Sequence, residues 1–113
     1  MNKAKEIIEL EKKWEEMDSK NLSDNIRSVM HHCDCVKYKD YCEKMMEITD
    51  STSHTVEAWL NTSRADVKIP FLKLCKLVAH YDVDIYKILE NYQCKSENQE
   101  ERYKYLYGKI VEQ

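Results

Sequence analysis

Glycine and proline are almost missing from this chain: Gly108 and Pro70 are the only ones among 113 residues. Tight turns and sheet edges draw on these two residues most, so their scarcity excludes a strand-rich domain and implies an all-α fold with short, economical loops. Long apolar runs are missing too. None approaches the roughly 20 residues that a membrane-spanning helix needs. The opening segment "MNKAKEIIELEKKWEEMDSK" is charged throughout and lacks the apolar centre of a signal peptide. A cytoplasmic protein is the expectation. Five cysteines (Cys33, Cys35, Cys42, Cys75, Cys94) are an odd number without an export signal, and so are read as free thiols. There is also no strong excess of one charge. The net charge of −3 argues mildly against a surface that binds polyanions indiscriminately.

What is present is helical periodicity. Residues 3–19 carry Ile7, Leu10, Trp14 and Met17 at spacings of three and four, with Lys and Glu between them. Such a stripe packs either on its own domain or on a second subunit. "KNLSD" supplies capping residues for a second helix from Leu22 to His32, with Ile26, Val29 and Met30 inward. A third runs from Lys37 to Ile48, with Tyr41, Cys42, Met45 and Ile48 on one face. "TDST" offers several N-cap residues before a fourth helix, "TSHTVEAWLN". Pro70 suits the first turn of a fifth, which buries Phe71, Leu74, Leu77 and Val78. Asp84 caps a short sixth, with Ile85, Ile88 and Leu89 inward. A final helix begins at a capping box of Ser96 and Gln99 and turns Tyr103, Leu106, Tyr107 and Ile110 to one side.

The third and fourth helices, with the polar break between them, meet the needs of a helix-turn-helix. In that motif the first helix braces against the DNA backbone, and the second lies in the major groove with its N-terminal side chains at the base edges. Short side chains at the front let the helix dipole and backbone amides approach phosphates. Val56, Trp59 and Leu60 at the back would fasten the reading helix to the core.

Three stretches resemble the Cro and phage-repressor (XRE) family of helix-turn-helix domains. "VKYKDYC" (36–42) is similar to the opening of that family's helix two, and "HTVEAWLN" to the later part of its recognition helix. "LCKLVAHYDVDIYKIL" (74–89) follows its closing Leu-x-x-Leu-Ala-x-x-x-x-Val-x-x-x-x-Leu-Leu spacing nearly position by position. The resemblance implies a repressor-like five-helix domain at residues 22–92, flanked by an N-terminal helix (1–21) and a C-terminal helix (93–113). The family has about four residues fewer between the positions of Cys42 and Trp59, and a Gly in the turn that this chain lacks. Helix two is therefore expected to be longer, or the turn looser. Tyr38 stands where the family often has a phosphate-touching Gln.

On this reading the chain is a transcriptional regulator that binds double-stranded DNA as a homodimer through one or both added helices. Ser53, His54, Thr55 and Glu57 would face bases. Tyr38, Asn61, Arg64 and Lys68 would face phosphates. Between Asn61 and Lys76 the chain has Arg64, Lys68, Lys73 and Lys76 against one acid, Asp66, and each phosphate contact would change the log–log salt slope by roughly −0.9. Glu57 would accept from a cytosine amino group or repel phosphate. The alternative is a protein-interaction module on the same scaffold, of antitoxin or phage-encoded inhibitor type, which the acidic balance and Glu57 would suit.

Other patterns have plainer explanations. "HHCDC" (31–35) lacks the two separated ligand pairs of a zinc site, and its imidazoles are read as capping a helix end. Cys42 and Cys75 fall at small core positions. "RYKYLYGK" interleaves aromatics and cations as single-strand binders do, yet at helical spacing its tyrosines form a packing stripe. No Ser-His-Asp, Cys-His or paired-carboxylate arrangement stands out. No enzyme activity, catalytic residue, cofactor or metal is expected.

Overall fold

The computed structural model describes residues 3–34, 37–61 and 67–112. All regular structure among them is helical: α1 (Lys3–Glu16), α2 (Ser19–Cys33), α3 (Tyr38–Thr49), α4 (Ser53–Leu60), α5 (Phe71–Tyr81), α6 (Ile85–Ile88) and α7 (Gln99–Val111). No described helix is long and apolar enough to cross a membrane.

Helix α2 is the axis of the fold. It buries Leu22, Ile26, Val29 and Met30, and also the polar Ser23, Asp24, Asn25 and Ser28. Buried polar groups need partners, and three of these residues find them in different places: remote backbone for Asn25, the helix itself for Ser28 and a remote side chain for Asp24. Asn25 Nδ2 donates to the carbonyls of Ile88 (2.8 Å) and Glu90 (2.9 Å), which closes the end of α6. Ser28 Oγ donates to Asn25 O at 2.7 Å, and Asp24 pairs with Arg102 of α7. Helix α7 lies along α2 with Tyr103, Leu106 and Ile110 buried. The expected stripe of the C-terminal helix is thus covered by the chain itself.

Helix α1 behaves differently from expectation. It ends at Glu16, because Asp18 turns the chain and caps α2 by accepting from the Asn21 N–H (3.2 Å). No α1 residue is buried. Leu10 and Trp14 lean on the core, while Ile7 and Ile8 are 56% and 69% exposed. The apolar contacts of α1 come from its last half, while nearer its start Glu6 accepts from the Tyr86 hydroxyl at 3.3 Å. Trp14 anchors it by donating Nε1–H to the carbonyl of Ile69 at 2.8 Å.

The cap of α7 also differs. Asn98, not Ser96, accepts from the Glu101 N–H (3.1 Å), while Ser96 Oγ accepts from the Asn98 N–H and donates to Glu101. Gln99 closes no capping box and donates instead to the Tyr103 hydroxyl at 3.0 Å.

Candidate functional site

The absence of glycine from the α3–α4 turn is resolved by Asp50. Its backbone takes the left-handed conformation (φ 53°, ψ 53°), which Asp tolerates better than most side chains. The N–H of Ser51 then bonds back to the carbonyl of Met46 at 3.2 Å, the six-to-one closure of a Schellman helix end. Asp82 repeats the device at the end of α5, with the Val83 N–H on the carbonyl of Val78. Helix α3 runs for 12 residues, and the turn that follows, residues 50–52, is tight. Three further contacts fix it. The buried Thr49 hydroxyl lies 2.6 Å from Met45 O and 2.9 Å from Ser51 Oγ. Lys73 of α5 donates its ammonium to Thr49 O at 2.6 Å. Thr52 caps α4, accepting from the Thr55 N–H and sharing a 2.9 Å hydroxyl contact with Thr55.

Helix α4 has two unlike faces. Val56, Trp59 and Leu60 are buried, each such side chain contributing on the order of 1.5–3 kcal/mol to holding the helix in place. Ser53, His54, Thr55 and Glu57 are all exposed on the other side. The four residues assigned to base contact therefore share one solvent-facing surface at the capped, positive end of a rigidly seated helix.

The four assigned to phosphates have different fates. Tyr38, the first residue of α3, is 46% exposed, with its ring 5.8 Å from the Arg27 guanidinium. Burial raises its phenol pKa, helped by a hydrogen bond with Cys42 and by the Glu57 carboxylate, while Arg27 opposes. Asn61 is exposed just past α4. Arg64 lies outside the described residues. Lys68 faces inward: its ammonium donates to the carbonyls of Trp14 (2.7 Å) and Glu15 (2.9 Å) and sits 5.2 Å from the Trp14 ring. Burial lowers its pKa, with Asp18 and Glu15 pulling the other way.

Two of the four cations counted between Asn61 and Lys76, Lys68 and Lys73, therefore close the ends of α1 and α3. From residue 37 to 61 three lysines face five acids. The exposed end of α4 is a polar, hydrogen-bonding surface rather than a basic one.

Arg27 is a residue that periodicity did not find. Its guanidinium stands 5.3 Å from the Tyr41 ring and 6.0 Å from that of Tyr103, besides Tyr38, and its Nη1 reaches the carbonyl of Leu60 at 3.4 Å. It joins α2 to the end of the exposed helix. Arg27 lies beside Ile26 with no local pattern to mark it, and its tyrosines come from α3 and α7.

The "HHCDC" imidazoles lie in the last turn of α2, the helix end expected of them, and both also meet aromatic rings. His31 Nδ1 is 2.9 Å from the Tyr41 hydroxyl, and its ring is tilted against Tyr103 at 5.5 Å. His32 stacks on Tyr107 at 3.8 Å and 14°. Cys35 lies outside the described residues; among those described, no group of three or more His, Cys, Asp or Glu side chains is placed to hold a metal. Cys42 is buried and Cys75 half-buried, and burial raises the pKa of both thiols. No family model, curated protein or solved structure matches this chain.

Proposed function

We propose that the protein is a repressor-like, sequence-specific DNA-binding regulator that reads the major groove with α4. One observation carries this reading: the hydroxyl-bearing front of α4 is open to solvent, while its back is anchored and its entry turn is fixed at both ends. A helix N-terminus of that kind presents free amides, a favourable dipole and short side chains to a duplex. Ser53, His54, Thr55 and Glu57 are the base-facing set, with Glu57 accepting from a cytosine amino group. Tyr38 and Asn61 flank them as phosphate contacts, together with Arg64. Lys68 positions the connection to α5 by holding the end of α1.

The active species in this proposal is a homodimer, because two reading helices meet half-sites about one helical turn apart. With α7 lying on α2, the exposed Ile7 and Ile8 favour α1 as the pairing helix.

A gel-shift salt titration on random duplex DNA tests the reading. Binding at low salt that weakens with a slope of roughly −0.9 per phosphate contact supports it. No shift at about 50 mM salt removes it.

The acid surplus around α3 and α4, and the internal use of Lys68 and Lys73, favour a second reading, a protein-interaction module presenting the same face. It predicts no salt-dependent DNA shift, and a partner whose binding is lost when His54 and Glu57 are replaced.

A further inference from the structure

Gly108, the only glycine of the chain, has no structural reason to be one. It sits inside α7, the described residues include no glycine with positive φ, and a Cβ added at Gly108 would meet nothing within 4 Å. Glycine inside a helix costs about 1 kcal/mol relative to alanine. Neither backbone conformation nor crowding offsets that cost here. What the missing side chain does is keep open the floor of a groove between α2 and α7.

That groove is open to solvent along one side and offers about 590 Å³, within the span of roughly 300–1,000 Å³ typical of small-ligand pockets. His31 and His32, at the end of α2, form one wall. Lys104, Tyr107, Gly108 and Val111 of α7 form the other. The stacked rings of His32 and Tyr107 make a preformed aromatic surface, and the hydrogen bond between His31 and Tyr41 holds the neighbouring imidazole. Val111 is 41% exposed at one end, an uncovered apolar edge. Lys104 is exposed and has no ion pair among the described residues, although Glu100 lies one turn away on the same groove. Glu100 admits a hydrogen-bond donor and repels a second anionic group.

We infer that this groove binds a small planar aromatic carboxylate: its ring lies on the His32–Tyr107 pair, its carboxylate pairs with Lys104, and a ring N–H or O–H donates to Glu100. The site exists independently of DNA binding. Its use as an effector site rests on the DNA-binding reading, and contacts link the two: His31 bonds to Tyr41 and packs on Tyr103, and both rings flank Arg27, which reaches the carbonyl of Leu60 at the end of α4.

Indole-3-acetate is the probe, titrated calorimetrically into the full chain without DNA, with uncharged indole as its control. Saturable binding of the acid, weakened about five-fold by Lys104→Met, is expected. Gly108→Leu is expected to abolish binding while raising the urea midpoint, since a leucine favours the helix and fills the groove. The site is refuted by no saturable binding to the unaltered chain, by undiminished binding to Gly108→Leu, or by indole binding as tightly as the acid. A gel shift with and without the probe then reads the coupling. A changed DNA affinity supports the effector role, and an unchanged one overturns it. A chain that binds the probe but never DNA refutes the regulator reading and leaves the site standing.

Discussion

The ammonium of Lys68 lies 2.7 Å from the carbonyl oxygen of Trp14, so a cation that its neighbourhood offers to phosphate is turned inward onto the C-terminal end of α1. Unsatisfied carbonyls concentrate negative partial charge there, and a hydrogen bond from a charged donor is worth about 1.5–3 kcal/mol. Partial exposure lowers that figure. Lys68→Met is therefore expected to lower stability by about 1–2 kcal/mol in urea unfolding. It should leave the salt slope of DNA binding unchanged. A slope that falls by about one unit would return Lys68 to the phosphate contacts.

Asp50 and Asp82 hold left-handed backbone that glycine adopts without steric cost. Asp50→Gly is expected to raise stability by about 0.5–1 kcal/mol, net of the greater freedom of glycine in the unfolded chain. Asp50→Val should lower it by more, because a β-branched side chain fits that region worst. Urea midpoints of the two variants, moving in opposite directions, test the account of the turn.

Ser53 is the first residue of α4 and exposed. A carboxylate there meets the positive end of the helix dipole, worth about 0.3–1 kcal/mol, and opposes DNA phosphates. Ser53→Glu should hold or raise the unfolding midpoint and weaken duplex binding about ten-fold or more. Equal DNA affinity in this variant would exclude the front of α4 from the interface.

The order and type of the helices were legible because local signals agree. Period-3.6 stripes place α2 to α5, Asp84 caps the helix expected of it, Thr52 is the one of the four "TDST" residues that caps α4, and Val56, Trp59 and Leu60 are buried together. What was not legible depends on partners remote in the chain. The carbonyl that takes the Lys68 ammonium is 54 residues away, and the tyrosines around Arg27 come from two other helices. Local competition also moved boundaries: Asp18 ends α1 early, and Asn98 takes the cap that Ser96 had in the sequence pattern. In the candidate site the exposed face of α4 was readable from periodicity, whereas the internal use of Lys68 and Lys73 was not.

Tyr103 makes stability fall on the alkaline side. Burial, the largest effect, raises its phenol above the ordinary 10.0, Asp24 adds to the shift, and Arg27, Gln99 and Arg102 oppose it. The unfolded chain releases this proton first. The contribution of Tyr103 is therefore whole below about pH 10 and is lost as pH rises from there through the folded value. Tyr103→Phe is expected to flatten that decline, at a loss of about 1 kcal/mol near neutrality for the Gln99 hydrogen bond. An unchanged alkaline slope would mean that the phenol titrates alike in both states.

One face of α1 is left uncovered by the fold. Ile7 and Ile8 lie far from the anchoring contacts of Trp14, and both are largely exposed. Replacing them should change monomer stability by no more than about 0.5 kcal/mol, as at other surface positions. If two copies pair through α1, the same residues lie in the buried seam, and a charge on each would sit unpaired in an apolar contact. Ile7→Glu combined with Ile8→Glu is therefore expected to shift the protein from dimer to monomer in sedimentation equilibrium, and to lower the urea midpoint by the concentration-dependent part that pairing contributes. It should also weaken binding to a two-half-site duplex far more than to a single half-site, because only the former needs both reading helices joined. A dimer that survives both substitutions would assign pairing to another surface, and a monomeric unaltered chain would remove the dimer from the proposal.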